Sequence, residues 1–368
     1  MFAVWSVQNN DVQFAMEDKE LQDAVQGFQP QKSFRKDYLN YCKLLHVTPH
    51  PKLCPRLDEE DKDLLNQSYD DADVDVINVG NWMLDTASLR VMTLALQYAP
   101  SVHTVQLFNV SLSVAQLRFV CEKFPAISTL KTLQLEWNAI TPPPDELDHT
   151  TCFASLLAPQ ASFTSLSLRA NGITPAGTIA IAEMLKTNTK LIVLNLFSNL
   201  MQDEGATALS YALTENHTLL HLSVANNGIT AQGCMALARG VTKYILRDDQ
   251  LLHLADMEVQ IQAALEAAKK QKKKLDRADV VKELNLPETD TVDGVVYGMG
   301  NATIQSLTMS GNGMATLDEL VPLSKLLDDH QAKLKTHLHV VKAQRMFPRS
   351  VVGGAATMKQ ALSEFLLL

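Results

Sequence analysis

The residues of this chain that are capable of chemistry are scattered, and their spacing decides what they can do. Cys42, His46, His50 and Cys54 recur every four residues, a nitrogen and sulfur set of the kind zinc takes tetrahedrally. Pro49 and Pro51 interrupt the helix that would align them, so ordinary packing and solvent exposure are expected instead. The acidic stretch from Asp58 to Asp75 has neither the bend glycine nor the terminal Glu of a calcium loop. It reads as a solvated loop or helix rim, with a partner-facing acidic patch as the alternative. His149 and Cys152 lie close together without a third group to orient a base and a nucleophile. Gly294, Gly298 and Gly300 lack the Lys-Ser/Thr pair of a phosphate loop, and His337 with His339 is too little for a metal. No catalytic residue, cofactor or metal is therefore expected, and the chain reads as a non-enzyme.

Recognition has better candidates. Trp137, Arg169 and Phe197 fall at outward positions of successive strand-like segments, and aromatic and Arg side chains are frequent interface anchors. Contact with the protein's own loops or termini is the competing reading of that stripe. Lys269, Lys270, Lys272, Lys273, Lys274 and Arg277 form a basic run suited to an acidic surface such as tubulin's, or to RNA; a plain solvated helix end is the alternative. No aromatics interleave with these lysines, so base stacking is unsupported. Trp5 and Phe14, in a polar N-terminal segment, either anchor a partner or fold back on the chain.

What must position these groups is a repeat. Leu191, Leu194, Leu196 and Asn199 are followed 28 residues later by Leu219, Leu222, Val224 and Asn227. Phe163, Leu166, Leu168 and Asn171 stand one period earlier, and Leu130, Leu133, Leu135 and Asn138 precede them with five extra residues between. Val102, Val105 and Leu107 continue the series with Val110 at the Asn place, and Val74, Ile77, Val79 and Trp82 make a weaker first copy. The frame returns at Ile304, Leu307, Met309 and Asn312, 85 residues after the previous copy. Each unit predicts a short strand, an Asn turn and a helix, with Gly177, Gly205 and Gly233 six residues after their Asn.

This L-x-x-L-x-[L/V]-x-x-N spacing, with a full helix per 28 residues, resembles the leucine-rich repeat family, in particular its ribonuclease-inhibitor-like class, over residues 74–317. The resemblance implies an α/β solenoid, a horseshoe of about seven units with parallel strands inside the curve and helices outside. Residues 38–49, Tyr38 through Pro49, resemble the element preceding the repeats in ciliary and cytoskeletal members. The Lys-rich insertion followed by Asp293-Gly294 and Gly300-Asn301 also looks like axonemal leucine-rich proteins. What this implies is a protein–protein interaction scaffold of a ciliary or flagellar axoneme, with tubulin and other axonemal subunits as partners. A cytosolic regulator, GTPase-activating or enzyme-inhibiting, and a ribonucleoprotein subunit are the alternatives.

The expected organisation is an N-terminal extension and helical cap (1–73), repeats (74–241), a lysine-rich helical insertion with a return loop (242–303), a last repeat (304–327) and a C-terminal cap or helix (328–368). The insertion should be a helical hairpin on the stripe Leu251, Leu254, Met257, Ile261, Leu265 and Ala268. Thr291 to Gly300 reads as a loop and Ala355 to Leu368 as an apolar helix. A net charge of −9 argues against a general nucleic-acid binder. Five irregular cysteines, no leader-like start and no long apolar run lead to the expectation of a cytoplasmic, cytoskeletal or axonemal location.

Overall fold

The computed structural model describes residues 21, 23–53, 74–141, 148–270, 276–277, 279–280, 289–314, 317–346 and 366–367. The repeat frame builds a nine-stranded parallel sheet. Its first six strands are β1 (Val76–Gly80), β2 (Thr104–Phe108), β3 (Thr132–Glu136), β4 (Ser165–Ser167), β5 (Val193–Asn195) and β6 (His221–Ser223). Apolar side chains alternate along each strand, so one face is buried and the other open. Ile77, Val105, Leu133, Leu166, Leu194 and Leu222 occupy the same register position and are all buried.

The buried face is covered by α1 (Phe34–Leu44), α2 (Thr86–Gln97), α3 (Val114–Lys123), a 3-10 helix (His149–Leu157), α4 (Pro175–Thr187), α5 (Gln202–Glu215) and α6 (Ala231–Val241). Strands alternating with helices over a parallel sheet make an α/β repeat solenoid. Helix α1 closes its first end, burying Phe34, Tyr38, Tyr41 and Cys42 against the same continuous core as the repeats. Ser33 stands at its N-cap position but makes no side-chain cap bond there.

The sheet leaves the chain order once. After α6 come β7 (Lys243–Ile245), the 23-residue helix α7 (Asp248–Lys270), β8 (Thr289–Val292) and β9 (Val295–Met299). Strands β7, β9 and β8 form a separate three-stranded antiparallel sheet. The segment expected as a loop is therefore a hairpin. Asp293 and Gly294 have φ of 51° and 78°, the two left-handed residues that a tight hairpin turn with right-twisted strands requires. Gly300 N donates to Thr242 O (2.8 Å) and Asn301 N to Gly240 O (2.7 Å), so the insertion begins and ends at one point of the solenoid.

The expected apolar stripe of α7 is only partly covered. Ile261 and Ala268 are buried, whereas Leu251 is exposed and Leu254, Met257 and Leu265 are half-buried. Asp279 and Val280 are helical, and Arg277 returns to α7 through Glu258, but residues 281–288, where the second arm of the expected hairpin would continue, lie outside the described residues.

Strand β10 (Ser306–Thr308) then pairs with β6, rejoining the array after the insertion. The helices α8 (Leu320–Asp329) and α9 (Gln331–Leu334) follow. The sheet continues beyond the last unit read from the sequence, through β11 (Val340–Lys342) and β12 (Leu366–Leu367). Residues 366–367, expected in an apolar helix, are thus an edge strand; 355–365 lie outside the described residues. No described helix is long and apolar enough to cross a membrane.

Candidate interaction surface

The surface is set by what happens at the carboxyl end of each strand. Here the chain takes a left-handed residue in every unit: Asn81, Asn109, Trp137, Ala170, Ser198, Asn226, Gly311 and Arg345 all have φ between 50° and 72°. Non-glycine residues tolerate this region only when their surroundings enforce it. For five of the eight, from Trp137 to Gly311, the enforcing element is a ladder of buried asparagines directly behind the row. Asn138 Oδ1 accepts from Val110 N (2.9 Å), Asn171 Oδ1 from Asn138 N (3.1 Å), and Asn199 Oδ1 from Asn171 N (2.9 Å) and Ile173 N (3.1 Å). Each amide nitrogen donates in turn to strand carbonyls, as Asn199 does to Leu168 O and Leu196 O at 2.9 Å. One side chain thereby ties two units together and fixes the turn.

The ladder fails at one rung. Leu200 stands where Gly172 and Gly228 take positive φ. A leucine there carries the Cβ penalty, and the left-handed residue moves to Gln202, whose N donates to Asn227 O (3.1 Å). Asn227 Oδ1 is left buried without a partner.

Along the open face the row in front of the turns reads Phe108, Glu136, Arg169, Phe197, Ala225; Phe108 and Glu136 are direct register partners. Arg169 is held between its neighbours, with Nη1 3.7 Å from Glu136 Oε2 and its guanidinium 4.9 Å from the Phe197 ring centre. Ser167 Oγ completes the Glu136 shell at 2.5 Å. The predicted Trp137–Arg169–Phe197 stripe is therefore one surface with divided roles. Arg169 is a strut, Phe197 is half-buried beneath it, and Ala225, next in the same row, is buried.

Trp137 is different. It is 50% exposed, and its ring lies 6.3 Å from that of Phe108, which is 37% exposed. Trp82, at the Asn position of the first unit, is also largely exposed, with the His50 ring 6.1 Å away and Lys52 Nζ 6.0 Å from its centre. Phe108 was not picked out from the sequence. Its signal was its place directly after Leu107, on the outward face of the alternation in which Val105 and Leu107 point inward.

The remaining candidates are placed as follows. Lys270 is exposed at the C-terminal end of α7, where a cation complements the helix dipole; Lys272, Lys273 and Lys274 lie outside the described residues, as do Trp5, Phe14 and Cys54. Arg277, part of the same basic run, forms a bidentate pair with Glu258 at 2.5 and 2.6 Å, which pulls that carboxyl down to about 2. Of the two histidines in the considered zinc set, His50 has structural work: its Nε2 is 3.2 Å from Met83 O, and its Nδ1 accepts from Lys52 N at 3.2 Å. Among the described residues, no three His, Cys, Asp or Glu side chains converge as metal ligands. Most of the acidic stretch, 58–73, lies outside the described residues.

With the geometry in place, comparison with known families supports leucine-rich repeats in this chain. The model described as "Leucine Rich repeat" matches twice, at residues 187–210 and 215–238. Each match spans a strand, its Asn turn and the start of its helix, so these two units are similar to leucine-rich repeats. No curated protein matches the chain.

Proposed function

We propose that this protein is a non-catalytic protein–protein interaction scaffold, and that it receives its partner on the aromatic edge formed by Phe108 and Trp137. The observation that carries this is the exposed pair itself. Two large rings stand on a row of turns whose backbone is locked from behind, so they need little ordering on binding. Arg169 contributes by fixing Glu136 and Phe197 and not as a free finger, which disfavours the GTPase-activating alternative.

We place the scaffold in a ciliary or flagellar axoneme or another microtubule-associated assembly, with tubulin or axonemal subunits as partners and a horseshoe of the ribonuclease-inhibitor-like class as its shape. The support is the resemblance of residues 38–49 and of the lysine-rich insertion to axonemal leucine-rich proteins. Proximity cross-linking with mass spectrometry in intact cells tests it, with the label on a flexible N-terminal linker. Cross-links to tubulin and axonemal proteins are expected. Cross-links confined to a small GTPase, a nuclease or ribonucleoprotein subunits would retire the axonemal reading. Loss of the captured set in a Phe108→Ser, Trp137→Ser double variant assigns the surface.

A further inference from the structure

Cys121 lies near the end of α3, and Cys152 lies in the 3-10 helix of the following unit. Their Sγ atoms are 3.6 Å apart, and both are free thiols. A disulfide needs about 2.0 Å between its sulfurs, so bond formation requires a closure of about 1.6 Å, on the scale of side-chain torsion adjustments. The two thiols differ in access: Cys121 is fully buried, while Cys152 is partly exposed. We propose that Cys121 and Cys152 are a redox-active pair that a hydroperoxide converts into a disulfide clamp between the second and third repeat units.

Cys152, the exposed member, reacts first. Its thiolate sulfur attacks one peroxide oxygen, the O–O bond breaks, and the departing hydroxide takes up the thiol proton as water, leaving a sulfenic acid. The Cys121 sulfur then attacks the Cys152 sulfur and displaces hydroxide, which leaves as water with the Cys121 proton. Two thiols and hydrogen peroxide thus become one disulfide and two waters, with two electrons passing from sulfur to peroxide. Burial, together with the adjacent Cys152 thiol, pushes the Cys121 thiol well up, in keeping with a resolving thiol that does not itself meet the peroxide. The clamp would close the stretch holding β3 and the Trp137 turn, the part of the array that displays the aromatic edge.

The test is oxidation of the native full-length protein with hydrogen peroxide, followed by alkylation, intact mass and peptide mapping. The expected result is a loss of about 2 Da, one joined peptide containing Cys121 and Cys152, and reversal by a thiol reductant. The thermal midpoint should rise by roughly a few degrees on oxidation of the wild type, and not in Cys121→Ser or Cys152→Ser. Sulfinic acid or a reagent adduct on Cys152, with Cys121 alkylated as a free thiol in the same molecules, would overturn the proposal. So would a bridge that forms only in denaturant. Should a serine variant misfold, the wild-type peptide map decides alone.

Discussion

Asn199 shows how much a single side chain does in this fold. Its carboxamide accepts from Asn171 N and Ile173 N and donates to Leu168 O and Leu196 O, all in a site closed to water. Asn199→Ala should therefore cost on the order of 3 kcal/mol, since several buried groups lose partners at once; denaturant unfolding measures it. Leu194→Ala, which empties a fully buried core position, should cost roughly 2 to 5 kcal/mol in the same assay. Ala170→Gly should do the opposite, because Ala170 holds φ at 52°, and relief of that strain is worth about 1 kcal/mol. The asparagines that turn the chain after the strands are legible from their spacing. A second set was equally periodic and was passed over. Asn188, Asn216 and Asn301 share the 28- and 85-residue spacing and tie each helix end to the next unit. Asn216 Nδ2 reaches Leu185 O and Asn188 O at 2.8 Å, and Asn301 Nδ2 reaches Leu213 O at 2.8 Å. Reading the units for strand leucines hid them, because their work lies at the opposite end of each unit.

At the scale of elements, the helices cap one another across units. Asp203, in the first turn of α5, accepts from Thr230 N (2.8 Å), Thr230 Oγ1 (2.6 Å) and Gly233 N (3.1 Å) at the start of α6. The glycine six residues after Asn227 is needed for this approach. A Cβ on Gly233 would collide with Asp203 Oδ1 and lie 2.5 Å from Ile229 Cγ2, so Gly233→Ala should destabilise by roughly 1 to 3 kcal/mol, read as a lower unfolding midpoint. Asp148 makes the equivalent contact two helices earlier, to the Thr174 hydroxyl, while also accepting from Thr150 N (2.9 Å) and Thr150 Oγ1 (2.6 Å) of its own helix. Burial works to raise its carboxyl, but these hydrogen bonds outweigh it and hold the group below the ordinary value of 3.8. Below that value the unfolded chain binds the extra proton first. The contribution of Asp148 is thus intact above about pH 4 and lost as pH falls through its lower folded value. Wild type minus Asp148→Asn stability, followed across this window, should shrink towards zero on acidification.

For the whole molecule, the decisive feature is that the insertion leaves and re-enters at neighbouring backbone atoms. Tyr244 and Gly298 are antiparallel partners, and the Gly300–Thr242 and Asn301–Gly240 bonds lie on the solenoid side of that pair. The buried residues of α7, Ile261 and Ala268, stand outside the continuous core that runs from α1 to β12. Replacing residues 245–297 by Asn-Gly, a two-residue turn that suits such a pair, should leave the array folded. Circular dichroism and the exchange protection of β6 and β10 would check it, and loss of β10 protection would show that the insertion is structural.

The sequence by itself determined the repeat: strand leucines, turn asparagines and the 85-residue jump follow from one local period, and local periodicity is visible without contacts. It also placed Trp137, Arg169 and Phe197 on one surface, because register between units is set by that same period. Only the tertiary structure separated their roles, since Glu136 and Phe197 reach Arg169 from neighbouring strands far apart in the chain. It alone extended the sheet to β11 and β12, whose segments carry too few residues of the pattern to announce themselves. It also turned the glycine-containing return into a hairpin, because a strand in a small sheet is decided by the partner it finds and not by its own residues.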